Sequence, residues 1–188
     1  EHGAPASVHA EAKKAGQSVY ELLEARAAAL RPGESGLLAL DWWAGCRSVL
    51  MDSDLSGLLL GVTLGTRPHE IYRALVEATA FGTRKIIDAF TSKGVPIDEL
   101  YACGGPARKN PLLLQIYADV TRRPIALADT ANASALGAAM LGAVAAGADR
   151  GGHASFVDAA RAMARLRGAK IEPDPRAAEA YDTLYRDW

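Results

Sequence analysis

An alternation of short apolar runs and helical patterns, beginning at Leu100, most strongly limits what this chain can fold into. Residues 100–103 form a strand-like run that stops at a glycine pair, and residues 124–127 form a second one. A helical pattern follows each run, over about 111–120 and 132–146. Strands joined through a helix lie parallel with a right-handed crossover in nearly every known case. The alternation therefore predicts an α/β domain built on parallel strands.

The segment 68–90 carries the clearest helical pattern of the chain. Apolar or small residues recur on one helical face, at Ile71, Leu75, Ala78, Gly82 and Ile86. Thr66 is placed to cap this helix, Pro68 suits its first turn, and Gly94 suits its end. The spacing predicts one long amphipathic helix.

The remaining patterns complete a division of the chain into three parts. One helix is predicted over about 10–30, strand-like runs at 37–40 and 47–51, and further helices at 155–166 and 175–185. We expect a helical lead-in segment at 1–33, a central lobe at 34–150, and a carboxyl-terminal helical extension at 151–188.

Charge and cysteine content limit the partners and the setting. The 21 Lys and Arg residues balance the 22 Asp and Glu residues, for a formal net charge of −1. This balance provides no bulk attraction for phosphates, so we expect neither nucleic acid nor a membrane as a partner. Cys46 and Cys103 form no metal or disulfide pattern, which favours a reducing, cytoplasmic setting. The chain opens on Glu1 rather than Met, so we expect it to be part of a longer protein.

The pair Gly104-Gly105 is the most informative candidate site, because it ends a buried strand just ahead of a helix. Ligands bind at this edge of open α/β sheets, and glycines let a flat or anionic ligand approach the backbone. The loop is completed by three candidate binding residues, Pro106, Lys109 and Asn110. Pro111 removes one amide from the start of the next helix, so a nucleoside suits the loop better than a phosphate. The alternative is a tight turn in which Asn110 only caps the helix.

Other polar and aromatic residues give weaker signals. An acidic cluster could supply a base or hold a hydrated Mg²⁺, although turn or cap roles suit its members better: Asp41, Asp52 and Asp54. Arg108 and Lys109 could meet a phosphate or simply be solvated. Of the pair Trp42 and Trp43, alternation directs at least one ring into the core. The histidines lack metal-ligand spacing: His2, His9, His69 and His153.

Several stretches taken together resemble one protein family. They are Leu40-Asp41-Trp42-Trp43-x-Gly45-x-Arg47, Gly57-Leu-Leu-Leu-Gly61, the helix from Glu70 to Gly82, the loop from Cys103 to Pro111, and Gln115-Ile116-Tyr117-Ala118-Asp119-Val120. Over roughly 34–147 the chain resembles the carboxyl-terminal domain of the FGGY carbohydrate kinases. The first and last stretches are most similar to the ribulokinase branch of that family. Ala44 and Cys46 depart from the asparagines usual in that branch, which removes polar contacts from their loop.

The resemblance implies an actin-like, ribonuclease H-like α/β fold. In that family this lobe holds the adenosine of ATP, Mg²⁺ lies on the phosphates, and the sugar binds between two lobes. Gly104 and Gly105 match the glycines beside the nucleotide, and Asn110 matches the polar residue at the following helix start, with Pro106 and Lys109 between them. The segment 135–139 matches a small-residue helix near the same pocket.

The resemblance also implies what this chain lacks. No stretch matches the family's catalytic aspartate, sugar-binding residues or phosphate loops, so we expect no catalytic or metal-binding residue here. Phosphoryl transfer requires the nucleophile, metal and phosphates to be positioned together. The chain alone is therefore expected to be inactive, with the missing amino-terminal lobe as its partner. An incomplete sheet would leave an open edge, which favours a homo-oligomer.

The expected function is the ATP-binding lobe of a kinase that phosphorylates a ketopentose. Two alternatives stay open at the level of sequence. One is a lobe of another FGGY kinase that acts on a different pentulose or polyol. The other is a non-catalytic scaffold module that binds a nucleotide.

Overall fold

The computed structural model describes residues 4–188, which form a mixed α/β fold. The helices are α1 (Ala6–Ala15), α2 (Val19–Ala28), α3 (Pro68–Thr91), α4 (Gly105–Lys109), α5 (Pro111–Thr121), α6 (Ala133–Ala146), α7 (Phe156–Met163) and α8 (Pro175–Asp187). The strands are β1 (Leu38–Leu40), β2 (Leu58–Leu60), β3 (Leu100–Ala102), β4 (Ile125–Ala128) and β5 (Leu166–Ile171). Within residues 4–188, no helix combines the length and apolar character needed to cross a bilayer.

The larger sheet has the order β3-β4-β5. β3 and β4 are parallel, with Leu100 opposite Ile125, which confirms the alternation predicted from the sequence. β5 is antiparallel to β4, so the helix predicted at 155–166 is wrong at its carboxyl end. Local pattern favoured a longer helix, but pairing with β4, a long-range contact, determines that Leu166 begins a strand.

β1 and β2 form a separate antiparallel hairpin. The strand predicted at 37–40 is confirmed as β1, whereas the strand predicted at 47–51 is a loop. Val49 and Met51 have φ angles of 64° and 54° there, in the left-handed region that an extended strand does not use. The sequence prediction also missed β2.

The single helix predicted over 10–30 is two helices. Gly16 ends α1 with a φ of 67°, a conformation that glycine adopts without strain. Ser18 then begins α2 through a capping box, in which its hydroxyl accepts from the Glu21 N–H (3.2 Å) and its own N–H donates to the Glu21 carboxylate (2.7 Å). The break turns the chain so that α2 packs on α3.

The long helix predicted at 68–90 is confirmed as α3, with Pro68 at its first position. The residue at its N-terminal cap is Arg67 rather than Thr66. The Arg67 N–H donates to the Glu70 carboxylate at 2.6 Å, while the Thr66 hydroxyl accepts from the Thr63 N–H at 2.8 Å. Thr66 is therefore occupied in the preceding turn.

α3 lies at the centre of the core and packs on α2, α5 and β1. The rings of Phe81 and Tyr181 are buried in the cluster that α3, α5 and α8 share, 6.0 Å apart and edge to face. Trp188, at the end of α8, donates its indole N–H to the Ala39 carbonyl of β1 at 2.8 Å. Small residues allow the close helix packing. Among those with no exposed surface are Ala78 and Ala80 of α3 and Ala118 of α5.

A buried charge cluster joins α2, α3 and α8. Arg73 donates to the Glu77 carboxylate (2.8 Å), to the Ala27 carbonyl (2.8 Å) and to the Tyr181 hydroxyl (2.9 Å). Tyr181 in turn donates to Glu77 at 2.8 Å. Burial raises the pKa of Glu77 and of Tyr181, and the neighbouring Arg73 charge opposes both shifts. The cluster is closed, because each buried polar group has a partner within it.

Replacing Glu77 by alanine is expected to destabilise the fold strongly, because the Arg73 charge would stay buried without its partner. We expect a loss of about 3–5 kcal/mol in the free energy of unfolding, measured by urea denaturation. Glu11→Ala is the matched control, since the Glu11–Arg26 ion pair is exposed and should contribute less than about 1 kcal/mol. Equal losses in the two variants would contradict the assignment of the cluster.

Candidate functional site

A cavity of about 1150 Å³ opens between α2, α3 and the α4–α5 turn. α2 supplies one wall, α3 a second, and the loop after β3 a third. The lining residues are Ser18, Tyr20, Glu21, Glu24, Tyr72, Leu75, Val76, Thr79, Gly105, Pro106, Lys109, Asn110 and Leu113. Polar groups thus lie on two sides of a largely apolar floor, an arrangement common to sites for small organic ligands.

Four of the five candidate residues from the sequence line this cavity: Gly105, Pro106, Lys109 and Asn110. Gly104 is not among the lining residues. It precedes α4 with φ 93° and ψ 177°, a combination open essentially only to glycine. The structure therefore separates the pair, because Gly105 lines the cavity and Gly104 does not.

Gly105 is the position where the backbone leaves room for a ligand. A Cβ built on Gly105 would meet no protein atom within 4 Å, and its φ lies outside the left-handed region. It is also the first residue of α4 and directly precedes Pro106. Because a proline disfavours helical backbone at a preceding residue that carries a Cβ, glycine also eases the start of this helix.

Asn110 holds the start of α5 and one wall of the cavity together. Its side-chain oxygen accepts from the Leu113 N–H at 2.7 Å, as the sequence predicted for an N-terminal cap. Its amide nitrogen donates to the Tyr72 hydroxyl of α3 at 2.6 Å. The residue therefore has a structural role in addition to lining the cavity.

The N-terminus of α5 is poorly suited to an anion. Pro111 has no N–H and the Leu113 N–H donates to Asn110, while the Leu112 backbone lies near enough to the Glu24 carboxylate to oppose the rise in its pKa. A phosphate needs such amides unoccupied. The arrangement supports the sequence-based preference for a nucleoside over a phosphate at this loop.

Charges at the cavity rim are mixed. Hydrogen bonds from Ser18 lower the pKa of Glu21, and the charge of Lys109 adds to that shift. Burial raises the pKa of Glu24, against the hydrogen bond from the Leu112 N–H. Lys109 is the basic side chain among the lining residues, whereas Arg108 is absent from them.

The acidic cluster and the tryptophan pair lie elsewhere. Asp41 and Trp42 line a second cavity of about 670 Å³, between the loop after β1 and the helices α3 and α8. Trp42 packs edge to face on Trp188, while the ring of Trp43 is largely exposed. Asp52 has the predicted turn role, since its carboxylate accepts from the Asp54 N–H at 2.8 Å.

The described part of the chain contains no group of three His, Cys, Asp or Glu side chains that could hold a metal ion. His69 lies in the first turn of α3, where burial lowers its pKa. His2 lies outside the described residues.

Sequence reasoning missed two walls of the cavity. Ser18, Tyr20 and Glu24 lie 80 or more residues before the glycine pair, and no local pattern brings α2 to that loop. Tyr72 lies in the family motif from Glu70 to Gly82, but the motif indicates only that this residue belongs to a helix. The Ser18-x-x-Glu21 capping box indicates where α2 begins, but it does not indicate which part of the protein α2 packs against.

The fold and this cavity define the carboxyl-terminal lobe of an actin-like sugar kinase. The model of the FGGY family of carbohydrate kinases, C-terminal domain, matches residues 2–146. The chain therefore belongs to the FGGY family of carbohydrate kinases. The family resemblance and the fold class expected from the sequence are confirmed.

The relatives point to one branch of the family. The chain is 58% identical to proteins named ribulokinase from Geobacillus thermodenitrificans and from Anoxybacillus flavithermus, over 188 residues in each case. Those matches cover 100% of this chain and 33% of the relatives, so the chain spans about a third of their length. A xylulose kinase from Rhodospirillum rubrum, 34% identical, superposes with a TM-score of 0.74 over 96% of this chain and 35% of that structure.

The two glycines should respond unequally to the same substitution. Gly104→Ala forces a φ of 93° on alanine and is expected to destabilise the fold by about 1–3 kcal/mol. Gly105→Ala adds a Cβ that meets no protein atom beyond its chain neighbours, so it is expected to cost less than Gly104→Ala, through the contact with Pro106 alone. Urea denaturation of both variants tests this, and an equal or larger loss in Gly105→Ala would contradict it.

Proposed function

We propose that this chain is the ATP-binding carboxyl-terminal lobe of a ribulokinase-like enzyme. That enzyme would transfer the γ-phosphoryl group of ATP to a hydroxyl of L-ribulose, in L-arabinose catabolism. The proposal draws its substrate from the relatives named ribulokinase. The observation that carries the site is Gly105, whose missing side chain leaves the backbone open on the wall of a cavity of about 1150 Å³.

In this proposal the cavity takes the nucleoside half of ATP. Gly105 would let the ring system lie against the backbone, and Asn110 and Lys109 would offer donors from the same loop. The missing and occupied amides at the start of α5 leave the phosphates to groups outside this cavity. ATP with Mg²⁺ would supply the transferable phosphoryl group, with the metal held on the phosphates.

The proposed partner is the rest of the same kinase, an amino-terminal lobe. The relatives are about three times as long as this chain. β2 also presents uncovered apolar side chains: Leu59 packs on the core, whereas Leu58 and Leu60 are more than half exposed, and Leu64 just beyond is fully exposed. A cluster of exposed apolar side chains of this kind marks an interface with another domain or protein. A homo-oligomer formed through the same surface is the competing proposal.

We also propose a cytoplasmic location, because a reducing compartment suits the two free cysteines.

A second candidate is another pentulose kinase of the same family. The 34% identity to a xylulose kinase favours keeping it, because the sugar-selecting residues would lie outside this chain. A non-catalytic scaffold that binds a nucleotide is the third candidate.

The division of the chain into three parts, with boundaries at 33/34 and 150/151, stays a prediction. The described helices on both sides of the central lobe pack on α3 and α5.

Gly105→Val is expected to weaken binding of a non-hydrolysable ATP analogue by about 10-fold to 100-fold, because the side chain would occupy the ligand's space. Isothermal titration calorimetry on this chain measures the change. Gly142→Val on α6 is the matched control, since its Cβ also meets open space and it does not line the cavity. Equal affinity in Gly105→Val and the unaltered chain would remove the pocket assignment.

The isolated chain is expected to show no turnover of L-ribulose and ATP in an ADP-coupled assay. The physical reason is that one wall of the cleft cannot position the sugar hydroxyl, metal and phosphates together. The full-length gene product is the positive control for the assay. Clear turnover by the 188-residue chain would show that a catalytic base lies within it.

A further inference from the structure

The side chain of Tyr72 connects two walls of the cavity. It lies on the first turns of α3, half-buried, and packs against the apolar clusters beneath α2 and α5. Its hydroxyl accepts a hydrogen bond from the amide nitrogen of Asn110 at 2.6 Å. The two residues are 38 positions apart, so this bond fixes the α4–α5 turn against α3.

Two hydrogen bonds leave the Asn110 amide one orientation. The side-chain oxygen is committed to the Leu113 N–H, so the nitrogen must face the other way, toward Tyr72. An amide nitrogen carries two N–H donors. Within residues 4–188 the structure gives this nitrogen one acceptor, the Tyr72 hydroxyl, and Asn110 lines the cavity. The second N–H is thus a donor whose direction is set by Tyr72.

We propose that Tyr72 is a positioning residue that directs the second N–H of Asn110 to a hydrogen-bond acceptor on the bound nucleoside. The acceptor class is a ring nitrogen of the base or an oxygen of the ribose. This inference rests on the proposed function, because it presupposes that a nucleoside occupies the cavity. It adds a residue on α3 to a site otherwise described from the glycine loop.

Tyr72 is chemically suited to this role. Burial raises the pKa of its hydroxyl, so the group is neutral at physiological pH and accepts steadily from Asn110. The charge of the nearby Glu24 acts in the same direction. Removing only the hydroxyl leaves the ring packing in place, which makes Tyr72→Phe a test of direction rather than of folding.

The test uses this 188-residue chain, a non-hydrolysable ATP analogue and calorimetry. Tyr72→Phe should weaken binding by about threefold to tenfold, the range of one lost hydrogen bond, with the melting temperature nearly unchanged. Asn110→Asp keeps an oxygen for the Leu113 N–H but has no N–H to offer, and should weaken binding by about tenfold or more. Tyr101→Phe is the control, because the exposed Tyr101 side chain donates its hydroxyl hydrogen to Glu99 and does not line the cavity.

The double variant separates positioning from a direct effect. Because Tyr72 acts through the amide, Tyr72→Phe/Asn110→Asp should bind no more weakly than Asn110→Asp alone. In the full-length enzyme, Tyr72→Phe should raise KM for ATP while kcat and KM for the sugar stay constant. A purely structural role would instead lower the melting temperature and change both constants.

Three results would overturn the inference. If Tyr72→Phe binds the analogue as the unaltered chain does and Gly105→Val does not, the proposed function stands and this inference fails. Losses that multiply in the double variant would show that Tyr72 acts independently of Asn110. If the unaltered chain binds no nucleotide, the proposed function and this inference fail together.

Discussion

The assembly of this chain depends on the guanidinium group of Arg73, a charge that is nearly excluded from water and that cannot give up its proton. A buried charge is tolerable only with partners. Arg73 finds them on three helices at once, in the Ala27 carbonyl of α2, Glu77 of α3 and Tyr181 of α8. α2 and α8 must therefore dock on α3 together. Since α2 and α3 are two walls of the cavity, the site forms only when the core is complete.

Elements with strong local signals could be predicted from the sequence. The long periodic pattern gave α3, and the Asn-Pro step gave α5 with Asn110 as its cap. Errors occurred where distant pairing outweighs local pattern. β5 exists because β4 offers it a hydrogen-bonding edge, and the loop at 47–51 is bent by the left-handed residues Val49 and Met51. Neither the pairing of β5 with β4 nor the left-handed backbone of the loop can be predicted from the residues next to them in the sequence.

The candidate site shows the same division between local and distant causes. The loop from Gly105 to Asn110 could be found because its chemistry is contiguous in the sequence. Tyr72 and Glu24 could not, because their places in the cavity follow from the packing of α2 on α3. Arg73 is adjacent to Tyr72, and on a helix adjacent residues face about 100° apart. One residue thus anchors the core while its neighbour faces the ligand space.

The cavity is suited to recognise a ligand by its shape rather than by its charge. At the start of α5 the Leu113 N–H is taken by Asn110, Pro111 has no N–H, and the Glu24 carboxylate lies beside Leu112, so this helix end is poorly suited to hold a phosphate. A net charge of −1 adds no long-range attraction for one. Affinity at the cavity must then come from the apolar floor, the open backbone at Gly105 and a few directed donors. Phosphoryl transfer needs the opposite, a dense array of charges around the phosphates. In the proposed function, the groups that hold the nucleoside are therefore physically distinct from those that hold the reacting atoms, which would lie outside this chain.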